Sequence, residues 1–267
     1  MTRSSFMTAV LFTALALLSA CNGSQNGTSA SQKTRIGTTT AGAFSVELLG
    51  DAALSTGLNS LSLRITEGGT PVTDATVTVT PVMTMSGGMQ HSCPIVGAPT
   101  LGSDGLYQVQ AVFQMASGTM GTWAIHVGIT RPGAAETTGT FADVAVSDSG
   151  RAKVFAYTDP STSVATKYVA SLSFKAAPKV GLNPIEVTLH RMDGMMAFSP
   201  VTDAAIALDP QMPSMGHGSP GSVDPAHVSD GRYDGQLSFS MAGDWETTVT
   251  FSRNAVTLGA PVFATTF

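Results

Sequence analysis

Thirteen methionines, five histidines and two cysteines in a chain of 267 residues are the side chains whose types and spacing could do chemistry. Two stretches concentrate them. The first runs Pro81-Val82-Met83-Thr84-Met85-Ser86-Gly87-Gly88-Met89-Gln90-His91-Ser92-Cys93-Pro94, and the second Asp209-Pro210-Gln211-Met212-Pro213-Ser214-Met215-Gly216-His217-Gly218. Each follows an apolar/polar alternating run, passes a Pro and then presents Met, Gly and His within a few residues. Thioether and thiolate sulfur are soft ligands that select Cu(I), and imidazole accepts either copper state, so the set suits copper better than zinc, calcium or magnesium. Met212, Met215 and His217 are the better-spaced candidate ligands. Met85, Met89 and His91 are expected as their counterparts, with Met83, Cys93 and His227 as accessory candidates. Packing is the competing explanation, because Met is a flexible gap-filler that can close the end of a core. The flanking Pro, Gly and His, placed where alternation has stopped, fit a core stripe poorly.

The remaining candidates carry less. Met115 shares the parity of Tyr107, Val109 and Phe113, and Met241 that of Leu237 and Phe239, so both are expected in the core at a strand end. Met192, Met195 and Met196 fall in an expected hairpin loop, Arg191 to Ser199, where a partner contact explains them as well as a ligand role does. His126 and His190 oppose the apolar faces of their strands and are expected as surface histidines. No nucleophile elbow, His-Glu-x-x-His helix, phosphate-cradling loop or motif-placed carboxylate pair occurs, so the expectation is a protein that is not an enzyme.

The elements that must position these loops are strands. Only 12% of residues are charged, against 28 Gly and 14 Pro, which points away from helical bundles and towards short strands joined by tight turns. The formal charge of -5 offers no basic footprint for nucleic acid. Leu61, Leu63 and Ile65, then Trp123, Ile125, Val127 and Ile129, then Ile185, Val187 and Leu189 alternate with polar neighbours, the period of a half-buried strand. A repeat also runs through the chain. Gly57-Leu58-Asn59 answers Gly181-Leu182-Asn183, Val72-Thr73-Asp74-Ala75 answers Val201-Thr202-Asp203-Ala204, Gly105-Leu106-Tyr107 answers Gly231-Arg232-Tyr233, and Trp123 and Arg131 answer Trp245 and Arg253. The expected fold class is all-β, two tandem immunoglobulin-like β-sandwiches at 41–148 and 151–267 that meet near Ser147-Asp148-Ser149-Gly150.

The N-terminus is an address. Arg3 precedes a short apolar run ending in Leu18-Ser19-Ala20-Cys21, which resembles the lipobox of bacterial lipoproteins. The expectation is a signal peptide over 1–20, then lipidated Cys21 and a flexible Ser/Thr/Gly-rich tether over 21–40. Loss of the signal and acylation of Cys21 leave Cys93 without an intrachain disulfide partner. Asn22 after the lipobox resembles the pattern of outer-membrane sorting, so the protein is expected on the cell envelope facing the periplasm, held to the membrane by its lipid.

Met-Pro-Ser-Met-Gly-His at 212–217, Asp230-Gly231-Arg232-Tyr233, and Met241-Ala242-Gly243-Asp244-Trp245 together resemble the YtkA-like domain, related to FixH-type domains. A degenerate set in the first half resembles it too, through Met89-Gln90-His91, Asp104-Gly105-Leu106-Tyr107 and Met120-Gly121-Thr122-Trp123. The resemblance implies an extracytoplasmic immunoglobulin-like sandwich of the kind associated with copper handling or oxidase assembly. The expected function is Cu(I) buffering, delivery or resistance, with a copper-receiving envelope protein as partner. The alternative is a metal-free structural or interaction module whose Met residues only pack.

Overall fold

Alternation becomes strand wherever one face can be buried. In the first half the strands are β1 (Thr34–Ala41), β2 (Phe44–Gly50), β3 (Gly57–Glu67), β4 (Thr70–Pro71), β5 (Thr76–Met85), β6 (Gln90–Ser92), β7 (Ile95–Leu101), β8 (Tyr107–Phe113), β9 (Gly121–Thr130) and β10 (Thr137–Val144). In the second they are β11 (Ala152–Thr158), β12 (Ala165–Phe174), β13 (Gly181–Met192), β14 (Phe198–Pro200), β15 (Ala205–Met212), β16 (His217–Gly218), β17 (Val223–Ser229), β18 (Arg232–Phe239), β19 (Asp244–Arg253), β20 (Val256–Gly259) and β21 (Val262–Thr266). This computed structural model describes Met1 and residues 33–267, so the expected signal peptide, Cys21 and most of the tether lie outside the described residues. No helix occurs among the described residues, and hence none long and apolar enough to cross a membrane.

Each half is a sandwich of two antiparallel sheets. The first pairs β1-β2-β3-β8-β7, with β4 beside β3, against β10-β9-β5-β6. The second pairs β11-β12-β13-β18-β17, with β14 beside β13, against β16-β15-β19-β20, with β21 also on β19. The chain is therefore two tandem immunoglobulin-like β-sandwiches, and each fills its own core with the inward parity of its strands. One boundary moves. β1 begins at Thr34, inside the segment expected to be tether, so the first sandwich starts there rather than at residue 41. Small polar residues suffice because β1 is an edge strand whose main chain pairs with β2 from Thr34 to Ala41, while Ile36 packs on the core.

The repeated landmarks are joints of the fold. The Asn59 and Asn183 side chains each bond back to the main chain of the preceding turn, accepting from Ser55 and Lys179 N–H and donating to Gly57 and Gly181 carbonyls. Gly57 and Gly181 take φ of 105° and 95°, a region that L side chains disfavour. The Tyr107 and Tyr233 hydroxyls accept the Ala75 and Ala204 amides at 2.9 and 3.1 Å, tying one sheet to the other. Tyr233 also donates to the Val201 carbonyl at 2.8 Å. Tyr233→Phe is expected to cost about 1–3 kcal/mol, because a buried N–H and C=O lose their partner at once. Equilibrium urea unfolding checks this, and a value near zero would mean that water replaces the hydroxyl. The Arg131–Asp74 and Arg253–Asp203 pairs are exposed and contribute little.

The two sandwiches meet through the outer faces of their larger sheets. Val96, Val112 and Leu58 of the first half pack with Val169, Met192 and Phe198 of the second. The connector is strapped to the first half by Thr56 N–H to the Ser147 carbonyl at 2.8 Å and Ser147 N–H to the Leu54 carbonyl at 3.0 Å. A polar cleft of about 370 Å³, lined by Ser60, Ser62, Gln110 and Arg232 among others, flanks the seam. This contact overturns the expectation of a surface His190. His190 does face away from its own core, but the other sandwich covers that face, leaving the ring 1% exposed with neither nitrogen hydrogen-bonded. His126, by contrast, is exposed and bonded to Thr140 at 2.9 Å.

Candidate functional site

The β5–β6 hairpin sorts its side chains by parity. Met83 stands opposite His91, and Thr84 opposite Gln90. The next step closes with the Met85 amide donating to the Met89 carbonyl at 2.8 Å. Thr84 and Gln90 are exposed and bonded to each other, and Met83, Met85, Met89 and His91 share the opposite parity, with Met83 and His91 buried at the end of the first core, Met85 half-buried and Met89 60% exposed. On the other side of β5, Met83 pairs with Trp123 and Met85 with Gly121. The result is a small grid of side chains, with Met83 and His91 beside Trp123 in the deep row and Met85 and Met89 beside Gly121 in the row at the mouth.

Gly121 is required by the close approach. A Cβ on it would sit 3.1 Å from the Met83 methyl and 2.6 Å from the Thr84 carbonyl oxygen. The second half repeats the device. Met212 pairs with His217, and a Cβ on Gly243 would sit 3.0 Å from the Met212 methyl. His91 meets the ring of Trp123 edge-to-face at 5.3 Å, and His217 that of Trp245 at 5.8 Å. The two indole N–H groups donate to the Met115 and Met241 carbonyls at 2.9 and 3.1 Å. Met115 packs at the margin of the core as expected, whereas Met241 is exposed and serves through its main chain, since Phe239 and Trp245 already fill the strand end.

The imidazoles are held alike. Nδ1 of His91 lies 3.0 Å from the Ser92 carbonyl, and Nδ1 of His217 lies 3.1 Å from that of Gly218. A ring proton on Nδ1 would face this carbonyl and leave the lone pair on Nε2, whereas in the first half the Gln114 amide, also within reach of Nδ1, suits the opposite tautomer. In the first half Nε2 of His91 is buried without a hydrogen-bond partner. Gln114 is a participant that the sequence did not flag, because no spacing rule links it to His91. Its amide nitrogen donates to the Ser92 carbonyl at 2.7 Å and lies 3.1 Å from His91 Nδ1.

The candidate ligands divide sharply. Met212 is 3% exposed and sealed in the second core, while Met215 sits in the connecting turn at 61% exposure. Met212, Met215 and His217 are thus not brought together as one set, because the four-residue turn points Met215 outward while strand pairing turns Met212 inward. The expected counterparts also shift by one strand period. Met83, not Met85, occupies the place of Met212, while Met85 and Met89 are additional donors particular to the first half. Cys93 is buried in the core, and desolvation pushes its thiol far above the ordinary range. His227 stands in the opposite sheet on β17 and meets the Tyr233 ring edge-to-face at 5.3 Å. Among the described residues no group of three His, Cys, Asp or Glu side chains is placed to hold a metal ion.

The YtkA-like family matches residues 38–128 and 162–250, once in each sandwich, and the two matches together span more than half of the sequence. The chain belongs to the YtkA-like family. Each YtkA-like match contains one Met–His cross-strand pair with its Trp, and the boundaries of both fall inside the sandwiches. Comparison with curated proteins finds no match.

Proposed function

We propose that the protein is a lipid-anchored envelope protein that binds Cu(I), with the principal site in the first sandwich. His91 Nε2, Met83 and the paired Met85 and Met89 would hold the ion. The single observation that carries this reading is the buried, unpartnered Nε2 of His91, opposite Met83 and on the same hairpin face as two further thioethers. A monovalent soft ion bound there would supply the missing partner of that nitrogen. The second sandwich would hold an ion more openly, through His217 with the exposed thioether of Met215. Buffering or delivery, with transfer to a copper-receiving protein across the periplasm, is the role that such soft, exchangeable donors serve best. The burial of Met83 and Met212 favours one other reading, an interaction module in which both residues are core plugs.

Anaerobic Cu(I) competition with a colorimetric chelator, on the full chain in detergent, separates the two readings. Met83→Leu keeps the volume and removes the sulfur, at a cost of less than about 1.5 kcal/mol in stability. His91→Ala is expected to weaken the principal site by at least about 10–100-fold, and Met83→Leu to weaken it measurably. No binding by the parent, or parent-like binding by both variants, would overturn the proposal. The lipid anchor has its own test: Cys21→Ala should leave the protein folded but in the soluble fraction after cell breakage, and membrane retention would contradict it.

A further inference from the structure

A part of the other sandwich reaches the edge strand that carries His91. β6 is the edge strand of its sheet, and its Ser92 amide, one residue from His91, donates at 2.8 Å to the carbonyl of Met195. Met195 belongs to the loop joining β13 to β14, so a hairpin of the second sandwich prolongs the sheet edge of the first. That hairpin is braced from below. The Asp193 amide bonds the Ala197 carbonyl at 2.9 Å, and the Asp193 carboxylate accepts from the Ser199 hydroxyl and, at 2.6 Å, from Arg191. These two donors, the Ser199 hydroxyl foremost, hold the Asp193 carboxyl below its usual range. Met192 and Phe198 root the stem in the apolar seam against Val96 and Val112. At the tip Met195 and Met196 are both exposed, two thioethers on flexible stems beside a histidine that is itself 5% exposed. His217, the counterpart of His91, is half-buried.

Resting on the Cu(I) reading above, we propose that the Met195–Met196 hairpin is a cap that brings a thioether to Nε2 of His91, so that the ion is held between the two sandwiches. Binding at the first site is then linked to closure of the seam. Release from it is slower than release from the open second site. The bond made is a dative one from sulfur to the ion, and no electron or proton is transferred.

The test uses the full chain in detergent with Cu(I) alone as the probe, in a His217→Ala background so that the first site reports. Met195→Leu with Met196→Leu preserves bulk and removes both sulfurs. It should lower Cu(I) affinity by at least about tenfold, quicken loss to a chelator, and reduce the sulfur count around the ion seen by X-ray absorption. Hydrogen exchange of the Ser92 amide in the metal-free protein should remain slow in parent and variant alike, because the main-chain bond is retained. Parent-like affinity and sulfur count in the double variant, with His91→Ala still impaired, would overturn the cap and leave the metal site standing. No Cu(I) bound by the parent would overturn both. Fast Ser92 exchange in the metal-free parent would overturn the cap regardless of copper.

Discussion

Trp123→Ala is expected to destabilise the first sandwich by about 3–5 kcal/mol, the cost of a large cavity in a packed core. Trp123 is fully buried, meets Phe113 edge-to-face at 5.0 Å, and spends its only polar atom on the Met115 carbonyl. Its removal takes away area, a hydrogen bond and the wall beside His91 together. Because the chain has only two tryptophans, the variant leaves Trp245 as the sole indole reporter, and its fluorescence then follows the second sandwich alone. Urea unfolding by circular dichroism should show a transition at lower denaturant. If the midpoint shifts by less than about 1 kcal/mol equivalent, the hairpin closes over the hole and Trp123 is not the keystone of that end.

His190 gives the second large effect, through pH. Burial in the seam pulls its pKa down to about 4 from the ordinary 6.5, against a smaller upward pull from the Asp230 carbonyl and carboxylate. Above pH 6.5 the ring is neutral whether the chain is folded or not. As pH falls from there towards 4, the unfolded chain takes up a proton that the folded one refuses, so stability drops. The full drop is about 3 kcal/mol, and below about pH 4 it levels off, since the folded ring then protonates too. His190→Leu should flatten this slope between pH 6.5 and 4. An unchanged slope in the variant would show that burial of His190 is not the source of the acid sensitivity.

Much of the fold was written in local pattern. Strand period located β3, β9 and β13, and the internal repeat located both sandwiches, because each landmark is a joint that the fold needs twice: Asn59 and Asn183 at a turn, Tyr107 and Tyr233 between sheets. The site was only half legible. Residue type drew attention to two hairpins, but which Met faces inward depends on turn length and strand pairing: Met83 and Met212 turn into the cores, while Met215 lies exposed in the turn after Met212. Neither the covering of His190 nor the approach of Met195 to Ser92 leaves any periodic trace, since both depend on how one sandwich lies on the other. The same is true of Gln114. A strand signature describes two faces, one dry and one wet, and cannot say when a wet-looking face meets a neighbour.

The apolar strip in the seam has a practical corollary for dissection. Val96 and Val112 on one side, and Val169, Met192 and Phe198 on the other, are dry only because the halves shield each other. Severing the chain in the glycine-containing connector would leave two fragments, each with a greasy stripe on an otherwise polar sheet. Such fragments should self-associate, and the liberated His190 would titrate like a free imidazole. The two sandwiches are thus not interchangeable beads on a string, since each keeps the other's stripe dry.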